Sequence, residues 1–257
     1  MATMAFVEKN QYNDVAQKYP SIENVLHSKL ENELVQMALG DCTGLKVLDL
    51  GGRSGLHARH ALDAGAAWVD VVDVSQSMLD VGKSIEDKAN RNVIGWHLAD
   101  ISKPMAKQIP EIPKDSYDVV MAIWPFDHAR TIRELEGMWQ NVAAYMKPGG
   151  RFAGVRVANP YAESAKSGKY GSQFSHHEEI PDGVKYECAI LATPRFAFEA
   201  TSMRTSYSGS SEIPEKYGMT DLKILHPKET KTVQNDPEFW GTMMEDPHFV
   251  AFTARKN

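Results

Sequence analysis

The sequence predicts an α/β protein built on a doubly wound, mostly parallel sheet. Three observations predict it. Short Val-rich apolar runs alternate with helix-length amphipathic stretches, a glycine-rich turn follows the first run, and an acid stands at the end of each of the first three runs. Strands alternating with helices imply parallel crossovers. A glycine turn leading from a strand into a helix is where such sheets admit ligands.

Taken in order, an amphipathic stretch over roughly 10–39 carries Val15, Ile22, Val25, Leu26, Leu30, Leu34, Met37 and Leu39 as candidate core positions. It is expected to pack over the carboxyl edge of the sheet. KVLDL (46–50), WVDVVDV (68–74), NVIGWHLAD (92–100), YDVVMAI (117–123) and RFAGVRVA (151–158) read as strands. Between them, 54–64, 75–90 and 130–147 read as helices, the last with Leu135, Met138, Trp139 and Val142 at helical spacing. After 158 the pattern changes. Residues 159–185 are rich in Ser, Gly, His, Lys and Tyr and read as a polar substrate-capping insertion. YECAILA (186–192), RFAFEATSM (195–203), LKIL (222–225) and HFVAFTA (248–254) then read as an antiparallel edge. No repeat or long linker divides the chain, so it is expected to be a single domain: a helical cap over 1–44, a core over 45–158, and an acceptor cap with edge strands over 159–257.

Composition excludes several classes of function. A chain of 257 residues buries about 70% of its unfolded surface and needs no staple. Its two cysteines, Cys42 and Cys188, supply neither a metal set nor a disulfide framework. With 28 basic against 34 acidic residues and a net charge of −6, the chain lacks the basic field that nucleic acid requires. No run approaches the roughly 18 apolar residues of a membrane span, and MATMAFVEKN has no apolar signal core. The expected partner is a small molecule, and the expected compartment is the cytoplasm.

The first strand ends at Asp49-Leu50 and runs into Gly51-Gly52-Arg53-Ser54-Gly55; Asp73 follows Gly55 by 18 residues. That is near the spacing of about 20 at which a carboxylate meets the ribose hydroxyls of a nucleoside. A hydride-transfer enzyme also uses a glycine loop and such an acid, but its G-x-G-x-x-G pattern is broken here by Arg53.

The motif series resembles the class I S-adenosylmethionine-dependent methyltransferases, small-molecule branch, on a Rossmann-like seven-stranded sheet with an antiparallel edge strand. VLDLGGRSG is similar to their first motif, DVSQSML (73–79) to the acidic loop, ADI (99–101) to the end of the third strand, and MKPGGRF (146–152) to the turn before the fifth. YDVVMAIWPFDHA is similar to the fourth strand with its acceptor-facing end, and Tyr12-Asn13-Asp14 to the helix that closes over the cofactor. The resemblance covers about 10–158. It implies S-adenosyl-L-methionine as donor, S-adenosyl-L-homocysteine as product and no metal. It places Tyr12, Tyr19, Asp49, Gly51, Gly52, Arg53 and Gly55 at the donor. It adds Asp73 and Val74 at the ribose, Met78 beside the adenine, Asp100 on the adenine amino group, and Ile101, Ala122 and Ile123 around them.

The family pattern has glycine where this chain has Arg53, which either crowds the methionine part of the donor or points away and holds its carboxylate by charge. A crowded loop implies a protein of this fold with weakened or no transfer: a cyclase- or pericyclase-type catalyst, or a noncatalytic subunit. Methyl transfer needs a base only where the acceptor atom loses a proton. The candidates are His128, just beyond the fourth strand, and His176 and His177 in the insertion. Each has a plainer reading as a capped or solvated residue.

Overall fold

The structure is a computed structural model that describes residues 11–257; residues 1–10, the start of the expected cap, lie outside the described residues. The five predicted core strands are β1 (Lys46–Leu50), β2 (Trp68–Asp73), β3 (Ile94–Leu98), β4 (Tyr117–Ile123) and β5 (Met146–Val157). They pair in parallel. Val47, Leu48, Val119 and Val120 are fully buried, as expected of central parallel strands covered on both faces.

The later strands are β6 (Ser172–Ile180), β7 (Gly183–Ile190), β8 (Phe196–Met203), β9 (Met219–Leu225) and β10 (Phe249–Lys256). The main sheet runs β3-β2-β1-β4-β5-β10-β9. β10 is antiparallel to both β5 and β9, so the reversed strand stands one place in from that edge. The strand order reverses between β1 and β4, which makes their carboxyl ends the binding crevice.

Helices α1 (Leu26–Leu39), α2 (Leu56–Asp63), α3 (Gln76–Lys88) and α4 (Ile132–Tyr145) flank the sheet. Leu30, Leu34 and Ala58 meet Val47 and Val119 in one cluster. Leu135, Met138, Trp139 and Val142 meet Leu48 and Val120 in another. Two helices begin on side-chain caps: Ser75 accepts from the Met78 N–H, and Thr131 accepts from the Glu134 N–H.

Two expectations change. The stretch 159–185 is not a continuous loop: 172–180 forms β6, which pairs with β7, and β7 pairs with β8 in a separate three-stranded antiparallel sheet. The runs at 186–192 and 195–203 therefore build the cap rather than the edge of the main sheet. β6 hides in the sequence because only its core side is apolar. Phe174 is buried, while the outer half of the strand is solvated Glu and His, with a register shift between Ser175 and Glu178. The N-terminal stretch is also divided. A 3₁₀ turn over Tyr19–Asn24 precedes α1, and Val15, Tyr19 and Ile22 pack against Phe174, Tyr186 and Phe196 of the small sheet.

Candidate active site

The loop after β1 is shaped by crowding. Gly51 and Gly55 have φ of 72° and 76°, a region costly for side chains. A Cβ on Gly51 would lie 2.8 Å from the Pro125 ring, and one on Gly55 would lie 2.6 Å from the Trp96 indole. The loop is thereby pressed against the turn after β4 and against β3. Gly52 stands over Asp49, whose Oδ2 is buried without a partner among the described residues. Burial, reinforced by the neighbouring Asp73, pushes the Asp49 carboxyl up to about 8. It is a neutral acid at physiological pH.

Asp73 ends β2 and clamps this loop. Its Oδ2 accepts from the Arg53 N–H at 2.9 Å and its Oδ1 from the Ser75 N–H at 2.8 Å. Burial raises its pKa, and these N–H donors oppose the rise. A carboxylate offers about four acceptor positions, so both oxygens retain capacity. Asp100 is bound within its own loop: Oδ1 accepts from the Ser102 N–H and hydroxyl, and Oδ2 pairs with Lys103 at 2.9 Å.

An outer cleft of about 590 Å³ opens above the carboxyl ends. Of the expected donor residues, Tyr12, Gly51, Arg53, Asp73, Val74 and Asp100 line it, together with Ile101 and His128. Asp49, Gly52, Gly55 and Ala122 support the loop or the core from behind. Met78 is fully buried in the cap cluster with Tyr19 and does not line this cleft. Asn13, Trp124 and Pro125, quoted in the motifs without a role of their own, also stand on the cleft wall, and the sequence reading missed Arg130 and Met138 there. Only Trp124 left a local sign, since it sits at the end of a strand beside a proline.

A second, inner chamber of about 40 Å³ lies between the main sheet and the cap. Phe174, Tyr186, Ile190 and Phe198 give it apolar walls, and Asp127, His27 and His248 give it polar points. Tyr12, Arg53, Trp124 and His128 line both cavities and so form the partition between them.

Arg53, itself at φ 53°, points inward. Its guanidinium donates to the Tyr19 hydroxyl and, at 2.7 Å, to the Ile123 carbonyl at the end of β4. The Tyr12 hydroxyl lies 2.7 Å from His128 Nε2. Burial, then the charges of Arg53 and Arg130, push the His128 imidazole down to about 3. Beside it, Asp127 accepts from the Val157 N–H at 2.9 Å and from the Ser202 hydroxyl at 2.7 Å. Burial lifts its carboxyl to about 6.

His176 and His177 lie away from both cavities. His176 sits on the β6 bulge at φ 53° with its side chain 79% exposed. His177 donates from Nε2 to the Pro160 carbonyl at 2.8 Å and stacks on Tyr161. The described residues hold no group of three or more His, Cys, Asp or Glu suited to a metal ion. None of their helices is long and apolar enough to cross a membrane.

Residues 47–150 match the Methyltransferase domain family. The fold is shared with an S-adenosylmethionine-dependent methyltransferase from Mesorhizobium loti, at TM-score 0.58 and 19% identity over 86% of this chain and 95% of that one. It is shared with the geranyl diphosphate C-methyltransferase of Streptomyces coelicolor A3(2), at TM-score 0.56 and 12% identity over 89% and 78%. A phosphoethanolamine N-methyltransferase 2 of Haemonchus contortus gives TM-score 0.58 and 16% identity over 100% of this chain and 60% of that one. No curated protein matches the sequence. Residues 47–150 thus match a methyltransferase-domain family, and the chain shares the fold of S-adenosylmethionine-dependent methyltransferases.

Proposed function

We propose that the protein methylates an oxygen or nitrogen atom of a small organic metabolite in the cytoplasm, with S-adenosyl-L-methionine in the outer cleft and the acceptor beside it against the wall of Tyr12, Arg53, Trp124 and His128. One observation carries this reading: Tyr12, Arg53, Trp124 and His128 gather on one wall of the cleft, where an acceptor would meet the donor. The outer cleft fits the donor. Its volume of about 590 Å³ is that of a small-molecule site, Asp73 has acceptor capacity for ribose hydroxyls, and the Arg53 cation suits a carboxylate.

When bound, the donor supplies an electrophilic methyl group on a sulfonium. The chain's own residues align the acceptor and keep water out. The cap closes the chamber with Phe174, Tyr186 and Phe198. The neutral imidazole of His128, joined to the Tyr12 hydroxyl, accepts a hydrogen bond from the acceptor O–H or N–H and so fixes the lone pair that attacks. Burial and two arginines disfavour a charged imidazole, so His128 orients the acceptor and the proton released on methylation leaves by the outer cleft to solvent.

A second reading, a protein of this fold with weak or no transfer, is favoured by one contact: the Arg53 guanidinium already holds the Ile123 carbonyl and the Tyr19 hydroxyl. Calorimetric titration with S-adenosylmethionine and S-adenosylhomocysteine separates the two. Micromolar binding of both, followed by methylated product from a panel of small phenols and amines, supports transfer. Absent binding in the wild type, restored in Arg53→Gly, supports the second reading.

A further inference from the structure

A third cavity, of about 310 Å³, lies on the flank of the sheet and shares no lining residue with the two clefts. Its floor is aromatic, formed by Phe126, Trp139 and Phe252. Phe126 and Trp139 stack at 4.7 Å between ring centroids, and Phe252 lies 5.3 Å from Phe152 beneath them. Such flat apolar walls take a flat apolar body.

One charged group is buried in this floor. Arg156 of β5 is 8% exposed, and its guanidinium lies 5.4 Å from the centroid of the Phe252 ring. Nη1 donates to the Val157 carbonyl at 3.1 Å, the one hydrogen bond that this group of five donors makes among the described residues. The loop beyond β8 passes over it at Gly209, where a Cβ would lie 3.6 Å from Nη2. The hydroxyls of Ser206, Ser210 and Ser211 stand on the wall, with Lys223 and Glu215 at the sides. Among the described residues the balancing charge is Asp127, felt through space, but its oxygens face the Val157 N–H and Ser202.

A buried guanidinium with unused donors above an aromatic floor matches one ligand chemistry, a planar oxyanion on an aromatic body. We infer that this cavity is a binding site for a small aromatic carboxylate, separate from the methyl-transfer clefts. The carboxylate meets Arg156, and its ring lies on Trp139 and Phe252.

The test uses 2-naphthoate and its neutral isostere 2-naphthamide with the intact protein. Naphthoate is expected to bind at least tenfold tighter than the amide, and Arg156→Gln to abolish that preference. Because Arg156 is buried and its loss endangers folding, the wild type supplies an independent measure. Of the five tryptophans, Trp139 lines this cavity and Trp124 lines the two clefts. Naphthoate is expected to shift the indole N–H resonance of Trp139 and leave that of Trp124 in place. A shift at Trp124 alone, equal affinity for acid and amide, or no shift at all would overturn the assignment.

Discussion

The hydroxyl of Tyr12 and Nε2 of His128 lie 2.7 Å apart across 116 residues of chain, joining the N-terminal cap to the turn after β4. The cap is held on its other side by Gln11, whose amide exchanges two hydrogen bonds with the Glu199 backbone in β8. The imidazole is thus pinned where the two cavities meet and is kept uncharged by burial and two arginines. Ring nitrogen NMR is expected to show His128 neutral from pH 8 down to about pH 4.5. A midpoint near 6.5, the ordinary value, would contradict this account. In turnover, His128→Ala is expected to lower kcat at least a hundredfold while S-adenosylhomocysteine affinity stays within threefold.

Asp73 has two tasks, and its removal separates them from a purely structural role. It closes the loop through the Arg53 and Ser75 N–H groups and leaves acceptor positions for the ribose. Hydrogen bonds to a charged group contribute about 1.5–3 kcal/mol. Asp73→Ala is therefore expected to weaken donor binding at least tenfold by calorimetry. Unchanged affinity would remove Asp73 from the donor site.

Arg53 gives a sharper test, because the same cation either obstructs the donor or receives its carboxylate. If it receives it, the wild type prefers S-adenosylhomocysteine over the decarboxylated analogue, and Arg53→Ala binds both alike. The expected loss of preference is at least tenfold, the size of a charge-assisted pair in a partly buried site. Tighter binding of both ligands in Arg53→Ala would show obstruction instead.

The frame of the site was legible in the sequence because its signals are local. A parallel core strand is a short Val-rich run, and Asp49, Asp73 and Asp100 mark strand ends whatever the rest of the chain does. The cap was not legible. In β6 the apolar side is a single buried aromatic, Phe174, in a stretch of Ser, His and Glu, so period-2 alternation cannot be read. His176 and His177 looked catalytic by type, yet the bulge turns one to solvent and the other onto Pro160 and Tyr161. The partition itself joins residues 12, 53, 124 and 128. Tertiary packing brings residue 12 and residue 53 together with the later pair.

Gly82 serves packing. In the middle of α3, a Cβ on Gly82 would lie 2.3 Å from the Trp96 ring. In a helix interior Gly→Ala ordinarily stabilises by about 1 kcal/mol. Here overpacking reverses the sign, and Gly82→Ala is expected to cost about 1–3 kcal/mol in urea unfolding. Combining it with Trp96→Leu is expected to recover part of that cost, giving a coupling energy of at least about 0.5 kcal/mol. Additive effects would mean that the two side chains do not meet.

The pH dependence of stability follows from groups that burial holds neutral. Asp49 titrates at about 8 in the fold and near 3.9 when unfolded. Between those values the native state holds a proton that the unfolded chain has released, so this group lowers stability as pH rises through the window. Asp127, at about 6, acts in the same sense at lower pH. The buried histidines oppose them: His128 and His248 at about 3 and His60 at about 4 bind fewer protons than the unfolded chain below about 6.5. Their contribution is complete above that pH and is lost as pH falls. The balance gives a Tm maximum near pH 6.5 and a decline toward pH 8 to which Asp49 and His97, whose pKa is raised by its hydrogen bond to Asp70, both contribute. In calorimetric scans from pH 5 to pH 9, Asp49→Asn is expected to flatten the alkaline decline and leave the acid limb in place. Parallel curves for the two proteins above pH 7 would show that Asp49 is ionised in the native state.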